Sequence, residues 1–390
     1  MEFAFSEEQE AFRGEVAEFI KGKFPEELKF GHLRKTDRYK HQYTPFFQEL
    51  ARKHWLCLHW PEEYGGLGRP LMETAILTEE LGIAGAPRPN IGTSFVGTSI
   101  LTFGSEEQKK EFLPRIAGDE LFLCEGFTEP NAGSDLASLQ TKAYAVDEGY
   151  IIEGSKLLTS YAHIADYCML LARTDPELPK HKGLSAFLVD MKMPGITCGP
   201  FKDLFGGHYF NEVFFDKVKV SKDCLVGEEN TGWQQAVYSL NMERIFFGGG
   251  TYCTGTCKGI IKEVVPFLDG IKETCPHQYV YLRHRLAELV VDIEIARLLA
   301  YRSVWKLEKT VDIALEVSIS KIFGGELTQR VVNTAMQVLG LYGQLLPESK
   351  RAPLHGIISL SSIGSIGETI GGGTSEIQRL VVSRQLGLPR

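Results

Sequence analysis

The sequence predicts an α+β fold with a helical N-terminal domain (residues 1–120), a central β domain (121–232) and a helical C-terminal domain (233–390). Three observations lead to this prediction. Amphipathic segments with helix-start signals occupy the first third of the chain. Short β-rich runs, separated by glycine, proline and aspartate, begin near Leu121, and long helical patterns return after Trp233.

The helical N-terminal domain is predicted from a start signal that occurs twice. Ser6 is followed by Gln9, and Ser105 is followed by Gln108, each pair at the start of an apolar pattern with helical spacing. In such a pair the serine side chain accepts from a backbone N–H of the first turn, and the glutamine side chain reaches back to the serine N–H. Both pairs therefore predict the first residues of a helix.

The β domain and the C-terminal helices are predicted from different periodicities. Short runs rich in β-branched and aromatic residues are typical of strands, and apolar residues every three or four positions are typical of helices. The strand-like runs are "TKAYAVDEGYIIEGSKLL", "YCMLLART", "GLSAFLVD" and "NEVFFDKVKV". The helical runs are "RHRLAELVVDIEIARLLAYRSVWKLE" and "ALEVSISKIFGGELTQRVVNTAMQVLG".

Composition argues against several kinds of partner. The formal net charge of −8, with basic residues scattered, argues against a nucleic-acid partner. No run approaches the ~18–20 apolar residues of a spanning helix, so no membrane insertion is expected. The 8 cysteines are dispersed without a CxxC pair, which favours reduced thiols and a cytoplasmic protein. Neither an HExxH motif nor a P-loop or Rossmann fingerprint occurs, so no metal or nicotinamide site is expected.

An acidic residue interrupts the apolar helical pattern of "SLNMERIFFGGG". A carboxylate on a dry helix face is costly unless it is paired, because it loses its hydration. Two interpretations are open for Glu243: an ion pair with the adjacent Arg244, or a carboxylate kept dry for chemistry. The residues that share its predicted helix face are Ala236, Leu240, Phe247 and Gly250.

The stretch "GFTEPNAGSDLAS" combines small residues with hydroxyls at Thr128 and Ser134. Gly133 would let a ligand approach the backbone, and backbone N–H and hydroxyl groups can bind polar ring edges or phosphates. By itself the stretch is also consistent with an ordinary loop.

Together with four later segments in the same order, this stretch resembles the acyl-CoA dehydrogenase family of flavoenzymes. The later segments are "GSKLLTSYAHIADY" (154–167), "FDKVKVSKDCLVGEENTGW" (215–233), "QVLGLYG" (337–343) and "GGGTSEIQR" (371–379). The resemblance covers essentially the whole chain. It implies an N-terminal helical domain, a central β-barrel-like domain and a C-terminal four-helix bundle, normally assembled as a tetramer.

The resemblance implies FAD as the cofactor and assigns residues to its flavin ring. Phe127 and Thr128 would face the pyrimidine ring, with the Thr128 hydroxyl within bonding reach of N5 or the ring edge. Leu158, Thr159 and Ser160 would lie along the flavin. Leu158 stands where an aromatic residue usually shields the ring, so it would exclude water without stacking.

Further residues are implied for the rest of FAD and for the substrate. Those implied to bind the adenosine half of FAD, from the neighbouring subunit, are Gln337, Gly340, Thr374 and Glu376. Gly133 and Ser134 would hold the pyrophosphate or the pantetheine of the substrate. Asn241 and Arg244 would contact the CoA moiety, and Gly373 would pass close to the thioester.

The implied reaction needs a carboxylate. Removing two hydrogens from an acyl thioester requires a base for the α-proton and a hydride acceptor for the β-hydrogen. In many relatives the base precedes the Gly-Thr of the C-terminal loop, where this sequence has Gly372. Another branch of the family carries its base on a helix, in a leucine-rich "ER" context that "LNMERI" matches. The resemblance therefore implies Glu243 as the catalytic base.

Departures from the common family pattern resemble a bacterial subgroup that includes the large subunit of pimeloyl-CoA dehydrogenase. That subgroup acts on bulky, alicyclic, steroid-derived or dicarboxylic acyl-CoAs. An Arg-x-x-Phe-Gly motif that helps to bind FAD is missing here, and some of the subgroup pair unlike subunits with flavin in half of the sites. Pocket residues are expected around 83–100 and at Phe246 and Phe247, with Arg88 a candidate contact for a distal carboxylate.

The resemblance thus predicts FAD-dependent dehydrogenation of an acyl-CoA to a 2,3-enoyl-CoA, with electrons passed to an electron-transfer flavoprotein. Both a homotetramer and a heterotetramer with a second acyl-CoA dehydrogenase subunit are open. One alternative is a non-catalytic or half-site subunit of a heteromeric enzyme. The other keeps the flavin but changes the reaction, as in a decarboxylating dehydrogenase or an oxidase.

Overall fold

The computed structural model describes residues 4–30, 39–204, 206–310 and 312–388. Part of the predicted N-terminal helical segment, residues 31–38, lies outside them. The α-helices are α1 (Glu7–Lys23), α2 (Tyr39–Arg52), α3 (Leu71–Ile83), α4 (Gly97–Phe103), α5 (Glu106–Ala117), α6 (Gly232–Phe246), α7 (Thr251–Gly270), α8 (Pro276–Leu307), α9 (Ala314–Leu339), α10 (Ile357–Ser365) and α11 (Ser375–Gln385). The strands are β1 (Leu123–Gly126), β2 (Lys142–Val146), β3 (Gly149–Ser160), β4 (Tyr167–Arg173), β5 (Leu184–Asp190), β6 (Ile196–Pro200), β7 (Phe210–Ser221) and β8 (Leu225–Val226).

The chain folds into two compact units that interleave along the sequence. The helical unit comprises Met1–Arg34, Pro70–Arg88 and Glu243–Arg390, and the sheet unit comprises Lys35–Arg69 and Pro89–Met242. Helical segments precede and follow the sheet in the sequence, so the predicted α+β class is confirmed. The predicted domain boundaries after residues 120 and 232 stay a prediction.

Both predicted helix starts are confirmed as capping boxes. The Ser6 side chain accepts from the N–H of Gln9 at 3.2 Å, and the Gln9 side chain accepts from the N–H of Ser6 at 3.0 Å. Ser105 and Gln108 repeat this arrangement at the start of α5, at 3.2 and 3.1 Å. Local polar pairs therefore determine where α1 and α5 begin.

The core of the helical unit lies between α7, α8, α9 and α10. Its side chains recur every three or four residues along each helix, as the sequence pattern predicts. Core residues from these helices are Cys257, Ile260, Val264, Leu286, Leu289, Ile293, Val331, Val332, Ala335 and Ile358. Among the described residues, no helix is both long and apolar enough to cross a membrane.

A buried carboxylate joins α1, α3 and α8 within the helical unit. Glu79 is 1% exposed and accepts from Arg13 at 2.8 Å, from Arg297 at 2.6 Å and from the Tyr301 hydroxyl at 2.6 Å. These charge-assisted hydrogen bonds offset the cost of desolvating the acid. Close packing of α3 on α7 adds to this contact, because a Cβ on Gly255 would lie 2.2 Å from the Glu79 carbonyl oxygen.

The strands of the described residues form one eight-stranded sheet with the order β6-β7-β3-β2-β4-β5-β8, and β1 pairs with β4. The long antiparallel pair β3 and β7 shifts register between Lys156 and Thr159. The predicted strand-like runs form β2, β3, β4, β5 and β7. The short strands β1 and β6 were not predicted, because "LCEG" and "ITCGP" contain glycine and show little alternation.

A histidine of the sheet unit is expected to make the stability depend on pH. Burial lowers the pKa of the His59 imidazole to about 4, from 6.5 in the unfolded chain. Between these values the unfolded chain binds a proton that the folded chain does not, so stability is lost as the pH falls through this window. We expect the free energy of unfolding to fall by about 3 kcal/mol, at ~1.4 kcal/mol per pKa unit. Denaturant titrations at several pH values check this, and an equally steep profile for His59→Gln would contradict it.

Candidate active site

Glu243 lies near the C-terminal end of α6 and faces the C-terminal loop. Its carbonyl oxygen accepts from the N–H groups of Phe247 and Gly248, at 2.8 and 3.0 Å. Its side chain is half-buried. A Cβ on Gly372 would lie 3.5 Å from the Oε2 of Glu243. The carboxylate therefore lies beside the loop residue that lacks a side chain.

Arg244 binds the same loop. Its Nε donates to the carbonyl oxygen of Gly372 at 2.9 Å, and a Cβ on Gly373 would lie 3.3 Å from its Nη2. Burial lowers the pKa of the Arg244 guanidinium, and the neighbouring Glu243 carboxylate opposes that shift. The charges of Glu243 and Arg244 therefore interact, and both side chains lie beside Gly372 of the C-terminal loop.

The loop follows a backbone path that favours glycine. Gly372 and Gly373 have φ angles of +66° and +91°, where a side chain is strained. The Nε2 of Gln378 donates to the carbonyl oxygens of both glycines at 3.4 Å. Gln378 is fully buried. The glycine run therefore forms a tight turn, which is stabilised by hydrogen bonds from the side chains of Gln378 and Arg244.

A buried lysine joins this loop to the helix that carries Glu243. Lys321 on α9 is 2% exposed and donates to the carbonyl oxygen of Glu368. A Cβ on Gly249 would lie 2.7 Å from the Cα of Lys321, and the Gly249 carbonyl oxygen accepts from the Ser320 hydroxyl at 3.1 Å. The glycine run after α6 therefore lets the end of that helix lie directly on α9.

The predicted adenosine-site residues do not all come together in one chain. Thr374 caps α11, since its side-chain oxygen accepts from a backbone N–H of the first turn at 3.2 Å, and Glu376 is exposed in that turn. Gln337 and Gly340 are exposed at the far end of α9. At ~1.5 Å per residue, Gln337 is roughly 24 Å from Lys321 along the helix. The predicted binding of Gln337 and Gly340 to the cofactor of a neighbouring subunit stays a prediction.

Two predicted pocket residues of the helical unit pack together. The guanidinium carbon of Arg88 lies 5.5 Å from the ring centroid of Phe247, within the range of a cation–π interaction. Phe247 meets Tyr252 edge-to-face at 5.9 Å, and the Tyr252 hydroxyl donates to the carbonyl oxygen of Ala86 at 2.8 Å. A positive charge and aromatic surface therefore lie one helical turn beyond Glu243.

In the sheet unit, a hydrogen bond joins the two segments predicted to face the flavin ring. The N–H of Leu157 on β3 donates to the carbonyl oxygen of Thr128 at 2.8 Å. Phe127 is buried and packs edge-to-face on Phe95, with ring centroids 5.4 Å apart. Among the described residues, the N–H and the hydroxyl of Thr128 make no hydrogen bond. Thr128 thus has two polar groups available to a ligand.

The register shift in β3 exposes an apolar side chain beside a buried hydroxyl. Leu158 has a φ of +58° and is 46% exposed. Thr159 is 1% exposed, and its hydroxyl has no hydrogen-bond partner within the part of the chain that the structure describes. Ser160 follows and is half-buried. The exposed Leu158 side chain offers apolar surface to a flat ring, so it fits a flavin, whereas the Thr159 hydroxyl is enclosed by protein.

The predicted phosphate- or pantetheine-binding residues lie on the surface of the sheet unit. Gly133 and Ser134 are exposed, and a Cβ on Gly133 would meet no described atom within 4 Å. The next residue, Asp135, accepts from the Nζ of Lys180 at 2.7 and 2.8 Å, which holds the loop in position. Asn241, predicted to contact CoA, is half-buried on α6.

Two buried lysines, Lys156 and Lys321, were not predicted, although the position of each in its strand or helix indicates burial. Lys156 shares one face of β3 with Ile152 by strand alternation, and Lys321 shares one face of α9 with Val317 and Gly324 by helical spacing. Lysine is seldom fully buried unless it is paired. A lysine in phase with buried positions therefore signals an internal ion pair or hydrogen bond.

Comparison with known proteins identifies the family. Models described as "Acyl-CoA dehydrogenase, N-terminal domain", "middle domain" and "C-terminal domain" match residues 6–120, 124–218 and 230–387. The chain is 33% identical to acyl-CoA dehydrogenase FadE26 of Mycobacterium tuberculosis over 358 residues, 89% of this chain and 88% of the relative. It is similar to the solved structure of the Tcur3481-Tcur3483 steroid ACAD (TM-score 0.88, 31% identity, 100% of both chains). It is also similar to the ChsE4-ChsE5 complex from M. tuberculosis (TM-score 0.86, 31% identity, 100% of both chains).

The fold and the three domain matches define an FAD-dependent oxidoreductase that acts on a CH–CH bond. The chain belongs to the acyl-CoA dehydrogenase family. The predicted family, enzyme class and cofactor are thereby confirmed, whereas the roles of individual residues stay predictions.

Proposed function

We propose that this enzyme removes hydrogens from C2 and C3 of a bulky acyl-CoA, with Glu243 as the base for the C2 proton. The observation that carries this proposal is the distance of 3.5 Å between the Oε2 of Glu243 and the Cβ position of Gly372. The resemblance implies that many relatives carry their base at that loop residue. A carboxylate that reaches the same space from α6 would supply the same chemical group there.

In the proposed reaction each residue has a distinct task. Glu243 accepts the C2 proton, and Arg244 holds the loop through the Gly372 carbonyl oxygen, so that the carboxylate keeps its position. FAD, when bound, supplies the acceptor for the hydride that leaves C3. Thr128 offers polar groups to hold the ring, and Leu158 offers apolar surface that excludes water.

A ring-containing acyl group is the proposed substrate class. The name of one similar structure, a steroid ACAD, supports it. The chain itself also supports it, because Leu158 is smaller than the aromatic residue that the family usually has there. A dicarboxylic acyl group is the second candidate, favoured by the Arg88 guanidinium beside Phe247. The proposed electron acceptor of the enzyme is an electron-transfer flavoprotein, as the resemblance implies.

Anaerobic bleaching of the flavin tests the reaction and the substrate class together. The purified protein is mixed with straight-chain, branched, steroid-derived and dicarboxylic CoA esters, and flavin absorbance is followed. We expect the second-order rate constant for bleaching to be roughly 10–200-fold higher for ring-containing esters than for straight-chain esters. Differences in how an apolar group fits its pocket change such rate constants by about that factor. Preference for a straight chain would contradict the substrate class, and no bleaching of an FAD-loaded protein by any ester would contradict the reaction.

The proposed assembly is an oligomer, either of identical chains or with a related subunit. The separation of Gln337 from the Gly372 loop supports contributions from a neighbouring chain. The paired names of both similar structures support unlike subunits. Expression of the chain alone distinguishes the two. A yellow protein that bleaches supports an independent enzyme, and a colourless protein that gains flavin only with a second family subunit supports the half-site alternative.

A further inference from the structure

The loop that is predicted to face the flavin ring is held by a buried ion pair. Lys156 on β3 is 0% exposed, and its Nζ donates to the carbonyl oxygen of Phe127 at 3.1 Å and to Glu129 at 2.8 Å. Burial lowers the pKa of the Lys156 ammonium to about 8, and the Glu129 carboxylate opposes that shift. Lys156 is therefore a cation at neutral pH, in surroundings that screen its charge poorly.

Glu129 completes this arrangement through the backbone. Its two carboxylate oxygens accept from the N–H groups of Gln140 and Thr141, at 2.6 and 2.8 Å. Burial raises the pKa of the Glu129 carboxyl, but Lys156 and these hydrogen bonds outweigh burial and leave the pKa below its usual value. The pair is thus ionic at neutral pH, and the second hydrogen bond of the Lys156 ammonium is directed at the carbonyl oxygen of Phe127.

The peptide group between Phe127 and Thr128 links the Lys156 ammonium electrostatically to the predicted flavin position. The carbonyl of Phe127 and the N–H of Thr128 belong to the same peptide bond, and an ammonium on the oxygen makes the N–H a stronger donor. The Thr128 N–H makes no hydrogen bond within the described ranges. The next peptide group is anchored too, because the Thr128 carbonyl oxygen accepts from the N–H of Leu157 at 2.8 Å. Both peptide groups that flank the Cα of Thr128 are therefore held by hydrogen bonds.

We propose that Lys156 is a positioning residue that tunes the flavin. It holds the Phe127–Thr128 peptide and strengthens the Thr128 N–H as a donor to the pyrimidine end of the ring. The inference rests on the proposed position of FAD beside Thr128. Because the reduced ring is richer in electrons there, a stronger donor stabilises reduced FAD more than oxidised FAD.

Substitution by methionine removes the charge and keeps an unbranched side chain. We expect Lys156→Met to bind reduced FAD about tenfold more weakly, relative to oxidised FAD, than the wild type does. For a two-electron couple, a tenfold ratio corresponds to a reduction potential about 30 mV more negative. The potential is measured by equilibration with reference dyes at pH 7, and the FAD dissociation constant is measured by flavin fluorescence.

A matched control and a second variant separate tuning from folding. Lys219→Met removes an exposed lysine from the neighbouring strand β7, and its potential should equal that of the wild type. Lys156→Met alone leaves Glu129 as an unpaired buried charge, so Lys156→Met combined with Glu129→Gln is prepared as well. The double variant should fold and show the same negative shift, because it lacks the ammonium charge and leaves no unpaired charge buried. A potential equal to that of the control, in either FAD-loaded variant, would overturn the inference.

The readouts separate this inference from the proposed function. Equilibration with dyes requires no acyl-CoA, so the shift is measurable whatever the substrate is. A wild type that holds FAD but is bleached by no acyl-CoA would overturn the proposed reaction, while a negative shift in Lys156→Met would still support the tuning role. Normal bleaching by the wild type, with no shift in the variants, would overturn the tuning role alone.

Discussion

A Glu243→Gln variant is expected to keep its FAD and its unfolding temperature but to bleach roughly 10²–10⁴-fold more slowly with acyl-CoA, the range for loss of a general base. The amide has nearly the size of the carboxylate but cannot accept the C2 proton. The half-buried side chain would still fit beside Gly372 and Arg244. Anaerobic stopped-flow bleaching measures the chemical step directly, and flavin absorbance before mixing checks cofactor loading.

Glu273→Gln is the matched control for this prediction. Glu273 is exposed between α7 and α8, and its substitution makes the same chemical change away from the site. It should bleach at the wild-type rate. If Glu243→Gln also bleached at that rate but lost stability, Glu243 would be a structural partner of Arg244, and another residue would have to accept the proton.

A Gly249→Ala variant is expected to lose about 2–3 kcal/mol of unfolding free energy, through positive-φ strain and overpacking together. Gly249 has a φ of +81°, and a Cβ there would lie 2.7 Å from the Cα of Lys321. Because the obstacle is backbone rather than a mobile side-chain end, the end of α6 must move away from α9. Denaturant unfolding measures the loss, and slower bleaching would report displacement of Glu243.

Gly270→Ala provides the comparison. Gly270 ends α7 at an ordinary φ, and a Cβ there meets no described atom within 4 Å. Alanine favours helix over glycine by up to ~1 kcal/mol, so this variant should be as stable as the wild type or more stable. Equal unfolding free energies for the two variants would show that the close approach of Gly249 to α9 is not a stability determinant.

The parts of the fold that could be predicted are those with local signals. The capping pairs at Ser6 and Ser105 involve residues three positions apart, and both predicted helix starts are confirmed. The longer strands were found because β-rich runs are local too. The contacts of Lys156 were not predicted, since its partners Phe127 and Glu129 are 29 and 27 positions away on a loop. Their proximity depends on how that loop packs on β3.

The sequence by itself determined the kinds of segment, the family and the candidate base, because periodicity, capping pairs and motif residues can be recognised without knowing any distant contact. Only the tertiary structure decided which groups face one another. Arg244 and Gly372 are 128 positions apart, and they meet because α6, α9 and the C-terminal loop pack together around Lys321. Burial and hydrogen bonding are properties of that packing, so the surroundings of Glu243 could not be derived from the order of residues.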